Sequence, residues 1–340
     1  MNSPNAGAFA IVAALSCVGL IEASARASEK AIAAERAETP TRDAARIAPD
    51  IDRLPDDSWG RAVRMGRALI VETYKHIGPE SRDPQSRFAG NNLSCQNCHL
   101  EAGAKPHGLP LVGVFREYPR YAAREGAIET IQDRINGCLT RSLDGRPLPV
   151  DSKEMNAIVA YIAFLSTGAE KVGRGAGQMA ELTRPADPKE GAKAFAENCA
   201  ACHGADGLGK RRGVVGDAEG YEFPPLWGLD SFNDGAGMGR LIAAANFIHA
   251  NMPFGATYDH PALTVEQAWD IAAYMASMDR PHKVGIDKDF PVGVEKFVDA
   301  GYGPYVDGFS LSQHKFGPFQ PIRDKLEAMK RSKAGGQTGP

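Results

Sequence analysis

The 340-residue chain is short of the features that mark several protein classes. A formal net charge of −3 leaves no basic excess to track a phosphate backbone, which argues against nucleic-acid binding. A hydrophobic fraction of 43% is too high for a disordered polymer, and an aromatic fraction of 8% is ordinary for a globular one. Runs that alternate apolar and polar residues are nearly absent, which excludes a sandwich or barrel as the main architecture. No apolar stretch reaches the roughly 20 residues of a membrane-spanning helix. Cysteine is scarce too, at six residues. What remains is a globular, mainly helical chain with length for about two domains.

The longest charge-free apolar run covers residues 6–21 and is followed by ASARAS at 23–28. This pattern reads as a secretory signal peptide ending near Ala25 or Ala27, although its start lacks the customary Lys or Arg. The expectation is a signal peptide over 1–27, a periplasmic mature protein, and no membrane attachment after cleavage. An uncleaved anchor is the alternative, but the run is short for a span. Cys17 follows ALS, as at a lipoprotein site, yet apolar residues continue to Ile21, so it belongs with the discarded segment.

Four of the other five cysteines fall in two units, CQNCH at 95–99 and CAACH at 199–203. Each is the haem c attachment sequence CxxCH. Two thiols three positions apart can form thioethers to the two vinyl groups on one porphyrin edge, and the adjacent His99 or His203 can reach the iron. A zinc site would need further ligand pairs, and a thiol redox motif would not need the histidine. Two covalent haem c groups per chain are therefore expected, held by Cys95 and Cys98 and by Cys199 and Cys202.

Each motif sits between helix-like segments. Asp56, Asp57 and Ser58 offer capping chemistry ahead of Trp59, Val63, Leu69 and Ile70, and Asp187 and Pro188 precede Ala192, Phe195 and Ala196. Downstream, MNAIVAYIAFL at 155–165 parallels AWDIAAYMASM at 268–278. The expected fold class is all-α, two cytochrome c-type domains in tandem, each wrapping one haem, with extended loops and a C-terminal tail wrapping the surface and fraying at SKAGGQTGP. The expected boundaries are a leader over 28–50, a first domain over 51–170, a linker over 171–186, a second domain over 187–283 and the tail over 284–340.

A haem held through CxxCH still needs its sixth ligand. Met252, in HANMPFG, is the leading donor for the second haem, where a thioether favours Fe(II) and raises the potential; Met238, His249 and Lys210 are the other donors on offer. The first unit has no comparable methionine, since Met155 starts a helix and Met65 precedes the motif. Cys138, in RINGCLTRS at 134–142, lies where a distal ligand is expected, and a thiolate there would lower the potential. A buried free thiol and an intermolecular disulfide are its other readings, the first hazardous in an oxidising compartment. Arg120, Arg124, Arg134 and Arg141 crowd around it; singly such residues are usually solvated or pair with propionates, but together they suit an oxyanion and favour thiolate at Cys138.

YPRYAAREGAIETIQDRINGCLTRSLDGRPL at 118–148, with CQNCHLEAGA, CAACHG, FNDGAGMGRL and HANMPFG, resembles the periplasmic dihaem thiosulfate dehydrogenases over about 50–280. The resemblance implies that two thiosulfates are joined to tetrathionate with release of two electrons, at a first haem ligated by His99 and Cys138. It implies that Cys138 is also the active-site sulfur, that Arg124, Arg134 and Ser142 hold sulfonate oxygens, and that a second haem ligated by His203 and Met252 passes electrons to an external acceptor such as a soluble cytochrome c or a high-potential iron-sulfur protein. Some members carry Lys beside the second-haem Met; here the neighbour is Asn251, which favours stable His/Met coordination. A non-enzymatic dihaem carrier, a Sox-type thiosulfate-loading cytochrome and a tetrathionate reductase are the competing functions. The basic run Lys210, Arg211 and Arg212 reads as a solvated loop or as a landing for an acidic partner. His76, His107, His260, His282 and His314 receive no role.

Overall fold

The computed structural model describes residues 48–169 and 178–335. The expected signal peptide at 1–27, Cys17, nearly all of the leader and the first part of the linker lie outside the described residues. Seven longer helices carry the architecture: α1 (Ser58–Val71), α2 (Ile131–Arg141), α3 (Lys153–Leu165), α4 (Pro188–Asn198), α5 (Leu241–Asn251), α6 (Val265–Ser277) and α7 (Gln320–Gly335). Two antiparallel ribbons accompany them, β1 (Arg120–Ala122) with β2 (Ala127–Glu129), and β3 (Lys210–Arg211) with β4 (Tyr221–Phe223). Among the described residues no helix is long and apolar enough to cross a membrane.

The helix starts follow from capping. Asp57 accepts from the Gly60 N–H at the head of α1, and Asp187 accepts from the Lys189 N–H at the head of α4, where Pro188 occupies the first turn. Val63, Leu69 and Ile70 are buried as their spacing required, but Trp59 is 45% exposed, because it stands on the first turn outside the stripe. In α4 the buried face is Gly191, Ala194 and Phe195, and Ala196 faces solvent.

Each unit crosses its first and last helix at a glycine. A Cβ on Gly66 would lie 2.0 Å from the Ala157 carbonyl oxygen of α3, and one on Gly191 would lie 1.8 Å from the Asp270 carbonyl oxygen of α6. Those distances let the α1–α3 and α4–α6 backbones touch, and they mark one architecture used twice. Gly66→Ala is expected to destabilise the holoprotein by about 2 kcal/mol or more, because backbone cannot yield as a side chain can. A thermal melt that left the midpoint in place would contradict this packing.

Two apolar cores result, one around Val63, Leu69, Met155 and Ile158, the other around Phe195, Leu241, Trp269 and Ile271. The tail wraps both units, as expected, and also adds Phe319, Ile322 and Leu326 to the second core. Of the segment expected to fray, residues 332–335 continue the helix to Gly335, and residues 336–340 lie outside the described residues. Lys296 of the tail is 6% exposed among the Phe290, Tyr302 and Tyr305 rings. His314 is buried as a structural pillar, its Nε2 3.1 Å from Asp307 and its ring stacked on Tyr305.

The basic run is divided in its tasks. Lys210 and Arg211 form β3; Lys210 pairs with Glu222, and Arg211 bridges to Glu80 of the first unit and to Asp230. Arg211 thus joins the two units, while Lys210 and Arg212 stand exposed, as a solvated run would.

Candidate functional site

Helix α2 begins at a capping box, in which Thr130 and Asp133 satisfy each other's backbone donors. From that start, Arg134, Cys138 and Ser142 follow at intervals of four and share one face. The end of the helix is held from outside: Asn233 donates to the Thr140 carbonyl at 2.9 Å, and Asn91 donates to the Ser142 carbonyl at 3.1 Å. These bonds satisfy carbonyls that a helix terminus leaves open, and they fix the turn carrying Cys138 and Ser142.

The α2 face looks into a cavity of about 520 Å³. Cys95, Cys98 and His99 line it together with Cys138, Arg134 and Ser142, and Leu93, Leu111, Ile135, Ile158 and Ile162 supply an apolar wall. The structure thus gathers the first attachment motif and the cysteine forty residues later. His99 Nδ1 lies 2.6 Å from the Leu109 carbonyl, which can only accept, so this nitrogen carries the proton and Nε2 is left as the donor atom for a metal. The Thr73 hydroxyl receives the Cys95 N–H at 3.0 Å and pins the motif to the end of α1.

The cysteines differ in their surroundings. Burial pushes Cys95 up to about 11 and Cys98 up to about 12. Burial also opposes a thiolate at Cys138, but the Arg134 guanidinium and the His99 imidazole outweigh it and hold this thiol down at about 7. Arg134 in turn is pushed up by the Cys138 charge.

The arginines divide into different tasks. Arg120 and Arg124 line the cavity with Arg134. Arg120 stands 3.8 Å from Glu117 and 3.7 Å from Glu129, and over the Tyr118 ring. Arg124 sits in the turn between β1 and β2, where its carbonyl receives the Phe290 N–H of the tail at 2.8 Å. Arg141 does not reach the cavity: it makes a fork to Asp289 at 2.7 and 2.8 Å and clasps the tail to α2. It shares a helix with Cys138 but points to another face, which its separation of three does not reveal.

In the second unit His203 Nδ1 lies 2.9 Å from the Pro224 carbonyl, the same orientation device as at His99. Burial lowers the His203 pKa, which suits a neutral metal ligand. Met252 caps the end of α5, half-buried against the second core, which Cys199 also packs against. Met238, one of the rival donors, lines the first cavity. Asn251 is buried and donates to the His107 carbonyl of the first unit at 2.9 Å, so it ties the α5 end to the loop that orients His99.

Haem c fits these residues: each unit offers two thiols and an imidazole whose free nitrogen is set by a backbone carbonyl, and the first adds an apolar cavity of suitable size. Sequence reasoning missed Leu109 and Pro224, which act through backbone oxygens, and Asp289, Arg240 and Phe297, which come from distant segments. Only FNDGAGMGRL, which contains Arg240, carried a signal.

Residues 85–170 match the SoxA/TsdA cytochrome c domain, and residues 188–279 match the cytochrome c family. The chain is 37% identical over 274 residues to a thiosulfate dehydrogenase of Stutzerimonas stutzeri, covering 78% of this chain and 84% of the relative. It is 35% identical over 311 residues to one of Thiomonas intermedia, covering 87% and 93%. Among solved structures, thiosulfate dehydrogenase (TsdBA) from Marichromatium purpuratum matches with a TM-score of 0.63 and 34% identity, over 71% of this chain. The matched region spans about half of that solved chain, 51%.

Proposed function

Because the chain belongs to the thiosulfate dehydrogenase family, with two c-type domains in tandem and two haem c groups, we propose that it joins two thiosulfates into tetrathionate on the sulfur of Cys138. The observation that carries this reading is one helical face that aligns Arg134, Cys138 and Ser142 toward His99 inside a single cavity.

Haem c would be held through Cys95 and Cys98 with His99 and Cys138 as iron donors, and through Cys199 and Cys202 with His203 and Met252. When bound, these groups take up the two electrons of the reaction and pass them to an external acceptor such as a soluble cytochrome c or a high-potential iron-sulfur protein. The chain's own residues do the rest. Arg134 and Arg124 receive sulfonate oxygens through their guanidinium forks, and the Ser142 hydroxyl donates a further hydrogen bond. The terminal sulfur of the first thiosulfate is thereby set against Cys138. Thiolate and thiosulfate lose two electrons in forming an S–S bond, giving a cysteine thiosulfonate. A second thiosulfate attacks the outer sulfur of that bond, tetrathionate leaves, and Cys138 is released as thiolate. No proton is exchanged, so the site needs cations and no general base.

Domains over 51–170 and 187–283 and a periplasmic location complete the reading, the latter resting on the signal-like residues 1–27. In a steady-state assay with ferricyanide, the purified holoprotein is expected to consume two thiosulfates and reduce two ferricyanides for each tetrathionate formed. Intact haems with no thiosulfate-dependent reduction would turn the reading toward a carrier or a partner-dependent Sox-type cytochrome.

A separate outcome concerns the second unit. Met252→Ala is expected to lower the reduction potential of the second haem, because a thioether stabilises Fe(II), and to slow delivery to the acceptor while thiosulfate still binds. A redox titration with an unchanged potential would remove Met252 from the ligand set.

A further inference from the structure

Arg240 lines the same cavity as Arg124 and Arg134, although it comes from the second unit, at the head of α5. Its guanidinium stacks over the Phe297 ring of the tail at 4.4 Å, and Arg124 faces the same ring at 5.7 Å. One aromatic side chain therefore holds two cations together, and Arg240 adds to the repulsion felt by Arg124. The nearest aspartates do not use up these cations, and of the glutamates that line the cavity Glu117 and Glu129 stand beside Arg120. Asp299 takes one Arg240 nitrogen at 3.0 Å, and Asp289, which stands 3.9 Å from Arg124, is already forked to Arg141. The Nε atoms of Arg124 and Arg240 are buried and have no hydrogen-bond partner. A buried donor left without an acceptor is costly, and here both belong to arginines that line one cavity.

The reaction places a demand that the α2 face alone does not meet. Tetrathionate carries a sulfonate at each end of a four-sulfur chain, and each thiosulfate that forms it is a dianion. Two anionic groups must be held apart, one on each side of the Cys138 sulfur. Resting on the reading of Cys138, Arg134 and Ser142 given above, we propose that Arg240, with Arg124 and the Phe297 ring, forms a second sulfonate pocket that receives the incoming thiosulfate and the far end of tetrathionate. The pocket is assembled from the first unit's hairpin, the head of α5 and the tail, so it is complete only when all three are docked. Arg240 is then a substrate-binding residue contributed by the electron-transfer unit.

The test is tetrathionate affinity for the oxidised holoenzyme, measured by calorimetry without turnover, together with the reduction potentials of both haems. Arg240→Gln is expected to weaken binding by about 10- to 100-fold, the loss of a charged hydrogen-bond donor, with haem content and potentials unchanged. Arg240→Lys keeps a charge for Asp299 but loses the planar fork; it is the second variant should the first fail to mature, and it too is expected to bind more weakly. Asp299→Asn removes the charge paired with Arg240 while the amide oxygen can still accept the Ile242 N–H that Asp299 holds at 3.1 Å, and it is expected to keep wild-type affinity. Wild-type affinity in both Arg240 variants would overturn the proposal. So would a loss of affinity in Asp299→Asn equal to that in Arg240→Gln, which would make the arginine a tail anchor only. A shifted haem potential with unchanged affinity would assign Arg240 to a haem propionate and overturn it as well. Arg134→Gln separates the two levels: if it weakens binding and Arg240→Gln does not, only the second pocket fails, whereas wild-type affinity in Arg134→Gln would remove the reading beneath it.

Discussion

Cys138→Ala is expected to lower thiosulfate oxidation by about a thousandfold or more, the scale on which removing a reacting nucleophile acts. The haems should stay attached, because their thioethers come from Cys95, Cys98, Cys199 and Cys202, which the substitution leaves alone. The cavity walls should also stand, since Cys138 is half-buried and its neighbours Ile135 and Leu139 supply the packing of α2. The loss would thus fall on chemistry rather than on folding. What prepares Cys138 for this chemistry is electrostatic: burial opposes a thiolate, but Arg134 and His99 outweigh it and hold the pKa down at about 7. Activity in Cys138→Ala within a few-fold of wild type, with both haems in place, would move the sulfur chemistry elsewhere.

Arg134→Gln is expected to cost nearly as much, with kcat/KM for thiosulfate falling by about a hundredfold. On the proposed reading Arg134 acts in two ways, binding the sulfonate through its fork and supporting the Cys138 thiolate through its charge one turn away. Arg134→Lys separates them, because lysine restores a charge without the fork. We expect the lysine variant to recover much of kcat while KM stays raised. Equal kinetics in the glutamine and lysine variants would show that charge at this position is irrelevant to Cys138.

Much of this molecule could be read from local spacing. The two CxxCH motifs and the capped starts of α1 and α4 are short-range patterns, and each appears in the structure where the sequence put it. Trp59 and Ala196 were misjudged because an apolar residue near a helix end can lie off the buried stripe. The arginines show the same limit at greater range. Arg141 is three residues from Cys138, yet its partner Asp289 is 148 residues away, and no local pattern announces that pairing. Within the basic run at 210–212 only Arg211 departs from the solvated reading, because Glu80, which pairs with it, lies 131 residues earlier. The backbone carbonyls of Leu109 and Pro224 left no trace at all, since any residue can offer an oxygen. The attachment chemistry was legible, and the sides of the cavity built by α5 and the tail were not.

The most direct measurement of the central claim is the mass of the Cys138 peptide. Oxidised holoenzyme would be mixed with a limiting amount of thiosulfate, quenched in acid before a second molecule can react, digested without reductant and examined by mass spectrometry. The account expects a peptide heavier by one thiosulfate unit, lost again when excess thiosulfate is added before the quench as tetrathionate appears. An unmodified Cys138 peptide from enzyme whose haems have been reduced by that same thiosulfate would contradict it, because the electrons would then have left the substrate without an S–S bond forming on this sulfur.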